Sequence, residues 1–130
     1  MASAIAKWSK ADAISLIALF APIQSLLFTT GAMIAIDLVT GVWAAKKRGE
    51  EITSAGLRRT LTKMCVYEAA LMLAFLAEHY MSDILPFVKM AAGMVSLVEL
   101  TSIYENLNTI SGSNLLAGLL QKLNSTNDQK

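Results

Sequence analysis

IDLVTGVWAAKKRGEEITS, running from Ile36 to Ser54, contains the boundary on which the fold turns. Upstream the chain is almost purely apolar. At Ala45–Lys46 the character flips, and Lys46, Lys47 and Arg48 follow the last apolar turn before Gly49 breaks the helix. An apolar run that stops against three adjacent cations has the form of a membrane helix meeting a headgroup layer.

Composition agrees with that reading. The chain has 130 residues, enough for one domain. It is 55% hydrophobic and only 16% charged, against about 25% charged in soluble domains. Mean hydropathy is +0.51. A soluble helical bundle would have too few polar residues for its surface. A net charge of +1 offers no general attraction for nucleic acid. The cations are nevertheless clustered: six of the eleven Lys and Arg residues, Lys46, Lys47, Arg48, Arg58, Arg59 and Lys63, lie between positions 46 and 63. The single cysteine, Cys65, excludes an internal disulfide and a cysteine-built zinc site. Its apolar neighbours predict a buried, inert thiol.

Working outward, residues 1–22 form an N-terminal interfacial segment in which Trp8 stands between Lys7 and Lys10. Cations, an apolar run and Thr30-Gly31-Ala32 imitate a secretory signal, but Pro22 and Gln24 break the apolar core and the run continues past Ala32. Residues 23–45 form the first span, about 34 Å of helix against a hydrocarbon core of about 30 Å. A hairpin of two short spans over Ala13–Ala45 has too few residues for two crossings. Residues 46–63 read as a basic cytoplasmic loop, with Thr53 or Ser54 able to cap a following helix. Residues 64–81 and 84–104 are the second and third spans, separated by a turn without cations. Ser111-Gly112-Ser113-Asn114 is a break. In residues 111–130, Leu115, Leu116, Leu119, Leu120 and Leu123 share one face of a short helix, followed by a polar tail. The fold class expected is all-α: an integral membrane helical protein of about three transmembrane helices with an N-terminal and a C-terminal amphipathic segment.

Positive residues stay on the cytoplasmic side, so the basic loop and the C-terminus are expected inside, with the loop cations on the anionic inner leaflet. Ionisable groups at membrane depth carry the functional interest, because each costs a few kcal/mol when it faces lipid. Asp37, Thr40 and Gly41 gather on one side of the first span. Glu68, Phe75 and His79 share a face of the second; Lys89, Gly93, Ser96 and Glu99 lie broadly on one face of the third. Such faces either pair within the chain or line contacts between copies and water. Asp37 lies about 13 Å of helix rise from Lys46, too deep to reach the interface. Lys89, near the opposite end of its span, is a poor partner for it. Thr40, Ser96 and Ser102 are better placed in depth, with Gly41 permitting close helix packing. Among catalytic patterns there is no nucleophile elbow, no phosphate-cradling glycine loop and no metal-spaced histidine pair, so neither an enzyme nor a cofactor is expected. His79, the lone histidine, reads as an interfacial or satisfied residue.

Three elements resemble a known family. Asp37-Leu38-Val39-Thr40-Gly41-Val42-Trp43-Ala44-Ala45-Lys46 is similar to the D-x-x-T-G element of phage holins of the toxin-secretion and phage-lysis type. Ser54-Ala55-Gly56-Leu57, followed by Arg59 to Lys63, resembles that family's glycine-leucine element and basic patch. Glu99-Leu100-Thr101-Ser102-Ile103-Tyr104-Glu105-Asn106-Leu107 resembles its E-x-x-S-I-x-E-N signature. Together they span roughly Ile36 to Leu107. The chain departs from the pattern where Gly112 is followed by Ser113 and Asn114 in place of the usual proline, and in its longer N-terminal segment. The resemblance implies a multi-pass protein of the host cytoplasmic membrane. It would accumulate in the lipid bilayer and form homo-oligomeric lesions, so that an endolysin reaches the cell wall without needing direct contact. The candidates for assembly and membrane function are Asp37, Thr40, Gly41, Glu99, Ser102, Glu105 and Asn106, which lie in these motifs, and Lys89, which stands out only as a cation within a span. An antiholin-like regulator or scaffold and a small ion channel or transporter are the alternatives.

Overall fold

The computed structural model describes residues 10–81 and 84–127. Those residues form five α-helices and no strand: α1 Lys10–Leu19, α2 Gln24–Arg48, α3 Ser54–Met81, α4 Phe87–Ser111 and α5 Leu115–Asn127. Lys7 and Trp8, Ser82 and Asp83 in the cation-free turn, and the last three residues of the polar tail lie outside the described residues. A single 3-10 turn, Ala21–Ile23, joins α1 to α2 around Pro22, whose missing N–H is tolerated at a helix start. Three helical stretches, Ala21–Arg48, Ser54–Met81 and Phe87–Ser111, are long and apolar enough to cross a membrane. At ten residues α1 is too short to do so.

Each helix ends where its local chemistry requires. The α2 C-terminus carries Lys46, Lys47 and Arg48 in its last turn, where cations meet the negative end of the helix dipole. Gly49 then takes a left-handed φ of 75°, and the amides of Gly49 and Glu50 donate back to the Lys46 and Ala45 carbonyls at 3.1 and 3.0 Å. This is the Schellman closure, which favours glycine because a Cβ is disfavoured at positive φ. α4 closes more simply, with Gly112 at φ 69° and its amide on the Asn108 carbonyl at 2.9 Å. α5 starts on a side-chain cap: Asn114 Oδ1 accepts from the Ala117 amide at 3.2 Å and from the Tyr104 hydroxyl at 2.9 Å. The start of α4 is capped from a neighbour, since the Val88 amide donates to Glu78 Oε2 at 2.8 Å.

α2, α3 and α4 pack as an up-down-up bundle in which α2 and α4 make the most extensive contact. Its buried apolar residues are few: Ile23, Ile34, Ala44, Leu71, Phe75 and Val95, joined by Thr30 and Glu99. Within an 18-residue apolar stretch of each span, only 11% of the residues are buried in the chain. Phe28 is 80% exposed, and Val39, Leu73, Met94 and Leu97 also face outward. Water would penalise so much apolar surface, whereas lipid matches it.

The basic segment differs from the expected loop. α2 continues to Arg48 and α3 begins at Ser54, so the irregular connection covers only residues 49–53. Thr53 supplies the start signal, its hydroxyl accepting the Gly56 amide at 3.4 Å, and Arg58, Arg59 and Lys63 all fall on helix. Cys65 is exposed rather than buried, because it lies on the side of α3 turned away from α2 and α4. In α5 the side chains of Leu116, Leu119, Leu120 and Leu123 point outward.

Candidate functional site

Asp37 and Lys63 meet because they sit at matching depth on antiparallel helices. Asp37 precedes Lys46 by nine residues and Lys63 follows Ser54 by nine, about 13 Å of rise in each case. Lys63 Nζ donates to Asp37 Oδ2 at 2.6 Å and to Glu99 Oε2 at 2.9 Å. One ammonium therefore joins three helices. The Glu99 side chain is fully buried, and those of Asp37 and Lys63 remain 13% and 25% exposed. Glu99 Oε1 has no hydrogen-bond partner among the described residues.

A second layer of polar contacts lies one turn nearer the basic end. Asn106 Nδ2 on α4 donates to Asp37 Oδ1 at 3.2 Å and to Thr40 Oγ1 at 3.3 Å. The Thr40 hydroxyl in turn donates to the Ile36 carbonyl at 2.9 Å. Gly41 lies against Asn106, where an added Cβ would make ordinary contact, 3.5 Å from Asn106 Nδ2. Asp37, Thr40 and Gly41 are spaced i, i+3, i+4 on α2, and Glu99, Ser102 and Asn106 are spaced i, i+3, i+7 on α4, so each set forms one face. Beside the junction lies a cavity of ≈ 440 Å³, lined by Asp37, Gly41, Ile52, Leu57, Ser102 and Asn106 among others.

The structure thus brings together Asp37, Thr40, Gly41, Glu99, Ser102 and Asn106. It leaves Lys89 exposed in the first turn of α4, about 15 Å of rise from Glu99, and Glu105 exposed beside Ser102 and Leu97. Asp37 does have a cation within its own chain, contrary to expectation. The sequence places Lys63 in a loop at the headgroups, but starting α3 at Ser54 draws it two and a half turns inside. Beside Lys63, it is Asn106 that donates a hydrogen bond to Asp37, rather than Ser96 or Ser102, among the described residues.

The remaining cations stay near the bundle end. Lys46, Arg58 and Arg59 are exposed. Lys47 Nζ donates to the Ile110 carbonyl at the end of α4, where a cation complements the helix dipole. Arg48 forms a bidentate pair with Glu50, at 2.6 and 2.9 Å. The guanidinium holds the Glu50 carboxyl below its ordinary range by direct hydrogen bonding. No group of three metal-ligating side chains occurs among the described residues.

This pattern of three spans, with ionic groups facing inward and apolar residues outward, can be compared with known proteins. A model of the bacteriophage holin family matches residues 15–127, nearly the whole chain. The chain belongs to the bacteriophage holin family. No curated protein and no solved structure matches it significantly. As a holin-family member with three spanning helices it is a multi-pass membrane protein, from a family of non-enzymatic membrane proteins. Two of the three holin-like elements read from the sequence, Asp37-x-x-Thr40-Gly41 and Glu99-x-x-Ser102-x-x-x-Asn106, are the two helix faces that meet around Lys63.

Proposed function

We propose that the chain is a lesion-forming holin of the host cytoplasmic membrane. Copies accumulate in the bilayer, oligomerise, and open a path by which an endolysin reaches the cell wall, with no direct contact between the two proteins required. The observation that carries this reading is the Asp37–Lys63–Glu99 junction buried inside a bundle whose exterior is apolar. Closed, the unit hides three charges and Asn106 from lipid. If α2, α3 and α4 part and pair with other copies, the same residues become a hydrophilic wall that water can line. Polar groups at membrane depth are tolerated on those terms.

The cation distribution supports one orientation. Lys46, Lys47, Arg48, Arg58 and Arg59 gather at one end of the bundle, which we place at the anionic inner leaflet, each near-surface cation contributing about 1 kcal/mol. Trp43, 59% exposed one turn before these cations, suits the aromatic belt of that leaflet. α5 then lies on the cytoplasmic side, and three crossings put the N-terminus outside.

Induced expression in a bacterium tests the reading, with membrane potential and release of a folded cytoplasmic reporter enzyme followed together. Depolarisation with enzyme release is the expected result. Membrane residence without leakage would replace it with a regulator or antiholin. Leakage of ions alone would point to a small channel.

A further inference from the structure

Glu68 is a carboxylate of the spans that takes no part in the junction, and unlike Glu78, which caps α4, and the exposed Glu105, it is left without a hydrogen bond among the described residues. Both its oxygens are buried, and neither has a hydrogen-bond partner among the described residues. It lies in the α2–α3 interface against the bare backbone of Gly31: a Cβ at Gly31 would stand 3.8 Å from Glu68 Oε1 and 3.6 Å from the Met64 methyl. The charged groups of α2, α3 and α4 that make contacts are engaged with other residues. On α3, Lys63 is held by Asp37 and Glu99, Glu78 caps α4, and His79 stacks on Phe75 at 5.5 Å. On α2 the nearest ionisable residue in sequence is Asp37, six positions beyond Gly31 and bound to Lys63. α4 brings Glu99, bound to Lys63, and the exposed Lys89; α1 carries only Lys10 and Asp12, in its first turn.

An ionised carboxylate in such a place has neither a cation nor a donor to offset its lost hydration, whereas the neutral acid gives up far less. We propose that Glu68 is a proton-binding latch, holding its proton while packed on Gly31 and releasing it to water when α2 and α3 separate. Release leaves a charge that opposes re-closure, so opening and deprotonation favour one another. The consequence for lysis rests on the lesion-forming reading; the proton itself does not.

The test uses the full chain in vesicles of phosphatidylethanolamine and phosphatidylglycerol, comparing wild type with Glu68→Gln, which keeps the shape of the neutral acid. Hydrogen exchange of the α2 amides around Gly31 is measured from mildly acidic to mildly alkaline pH. The two proteins should be equally protected in acid, and wild type alone should lose protection as pH rises. Dicyclohexylcarbodiimide, which enters lipid and reacts with protonated carboxyls, should label Glu68 in preference to Asp37 and Glu99 under acid conditions. Identical exchange profiles, or labelling that passes over Glu68, would overturn the proposal. Trapped dye gives the functional arm: release from wild type should rise with pH and from Glu68→Gln should stay flat. Wild-type vesicles that never leak would sink the lesion reading, while exchange and labelling would still decide the latch.

Discussion

The two halves of the bundle are built differently. Toward the basic end, Asp37, Lys63, Glu99, Asn106 and Thr40 hold the helices by directional hydrogen bonds, and Lys47 ties α2 to the end of α4. Toward the opposite end the contacts are rings and aliphatic chains. Phe20 meets Phe75 at 5.9 Å, Phe75 stacks on His79, and Leu71 and Ile34 fill the middle. There Glu78 caps α4, and Glu68 is buried without a hydrogen-bond partner among the described residues. Lipid tails can replace apolar helix contacts at little cost, but they cannot replace an ammonium between two carboxylates. The polar half therefore fixes which faces meet, and the apolar half can part more readily.

The sharpest way to break this contrast is Lys63→Met. It leaves Asp37 and Glu99 facing each other without a cation, and removing one partner of a buried pair costs about 3–5 kcal/mol. Thermal unfolding in detergent should drop accordingly, with poor accumulation in membranes. Phe75→Ala, at the centre of the apolar half, should cost less because lipid takes up part of the vacated contact. A larger loss from Phe75→Ala than from Lys63→Met would reverse the assignment of the two halves.

Asn106→Leu is expected next in size. It removes the donor to Asp37 and Thr40 while keeping the ion pair, a loss of about 0.6–2 kcal/mol for a hydrogen bond between membrane helices. Gly41→Ala should be accommodated, since its Cβ would make ordinary contact with Asn106. Gly41→Leu should reproduce the Asn106→Leu defect by displacing that side chain. Equal stability of Gly41→Leu and wild type would mean that Asn106 is not needed between α2 and α4.

Hydropathy alone locates three spans, and the glycines at 49 and 112 mark two helix ends by their chemistry. The cluster was half legible. Asp37, Thr40, Gly41, Glu99 and Asn106 stand out as polar residues in apolar runs, but Lys63 does not, because Arg58 and Arg59 beside it make it look like part of a basic loop. Counting nine residues on from Ser54, the first residue after the Thr53 cap, places it opposite Asp37. The exposure of Cys65 and the isolation of Glu68 were not legible, since a face acquires neighbours only after the rotation of each helix is known.

The smallest effect belongs outside the spans. Glu50 titrates below the ordinary carboxylate range because Arg48 hydrogen-bonds its charged form. Its folded value is depressed, so any stabilisation is present above the unfolded value and is lost as pH falls through the folded one. Both groups are exposed, and the effect on stability should be close to nothing. Arg48→Gln should return the Glu50 midpoint to its usual range, read by carbon-detected NMR, without altering the exchange protection of Asp37 or Asn106. Reduced protection there would mean that the basic end and the buried junction are coupled.

The short connection at residues 49–53 has a consequence for how this chain can vary. It is irregular and exposed, so an added residue there changes only slack. Between Ser54 and Lys63 the chain is continuous helix, and one added residue turns everything beyond it by about 100°. The ammonium would then leave the phase in which Asp37 and Glu99 await it. Length is free in the connector and quantised in the helix, so the nine-residue offsets on α2 and α3 are a matched pair that must change together or not at all.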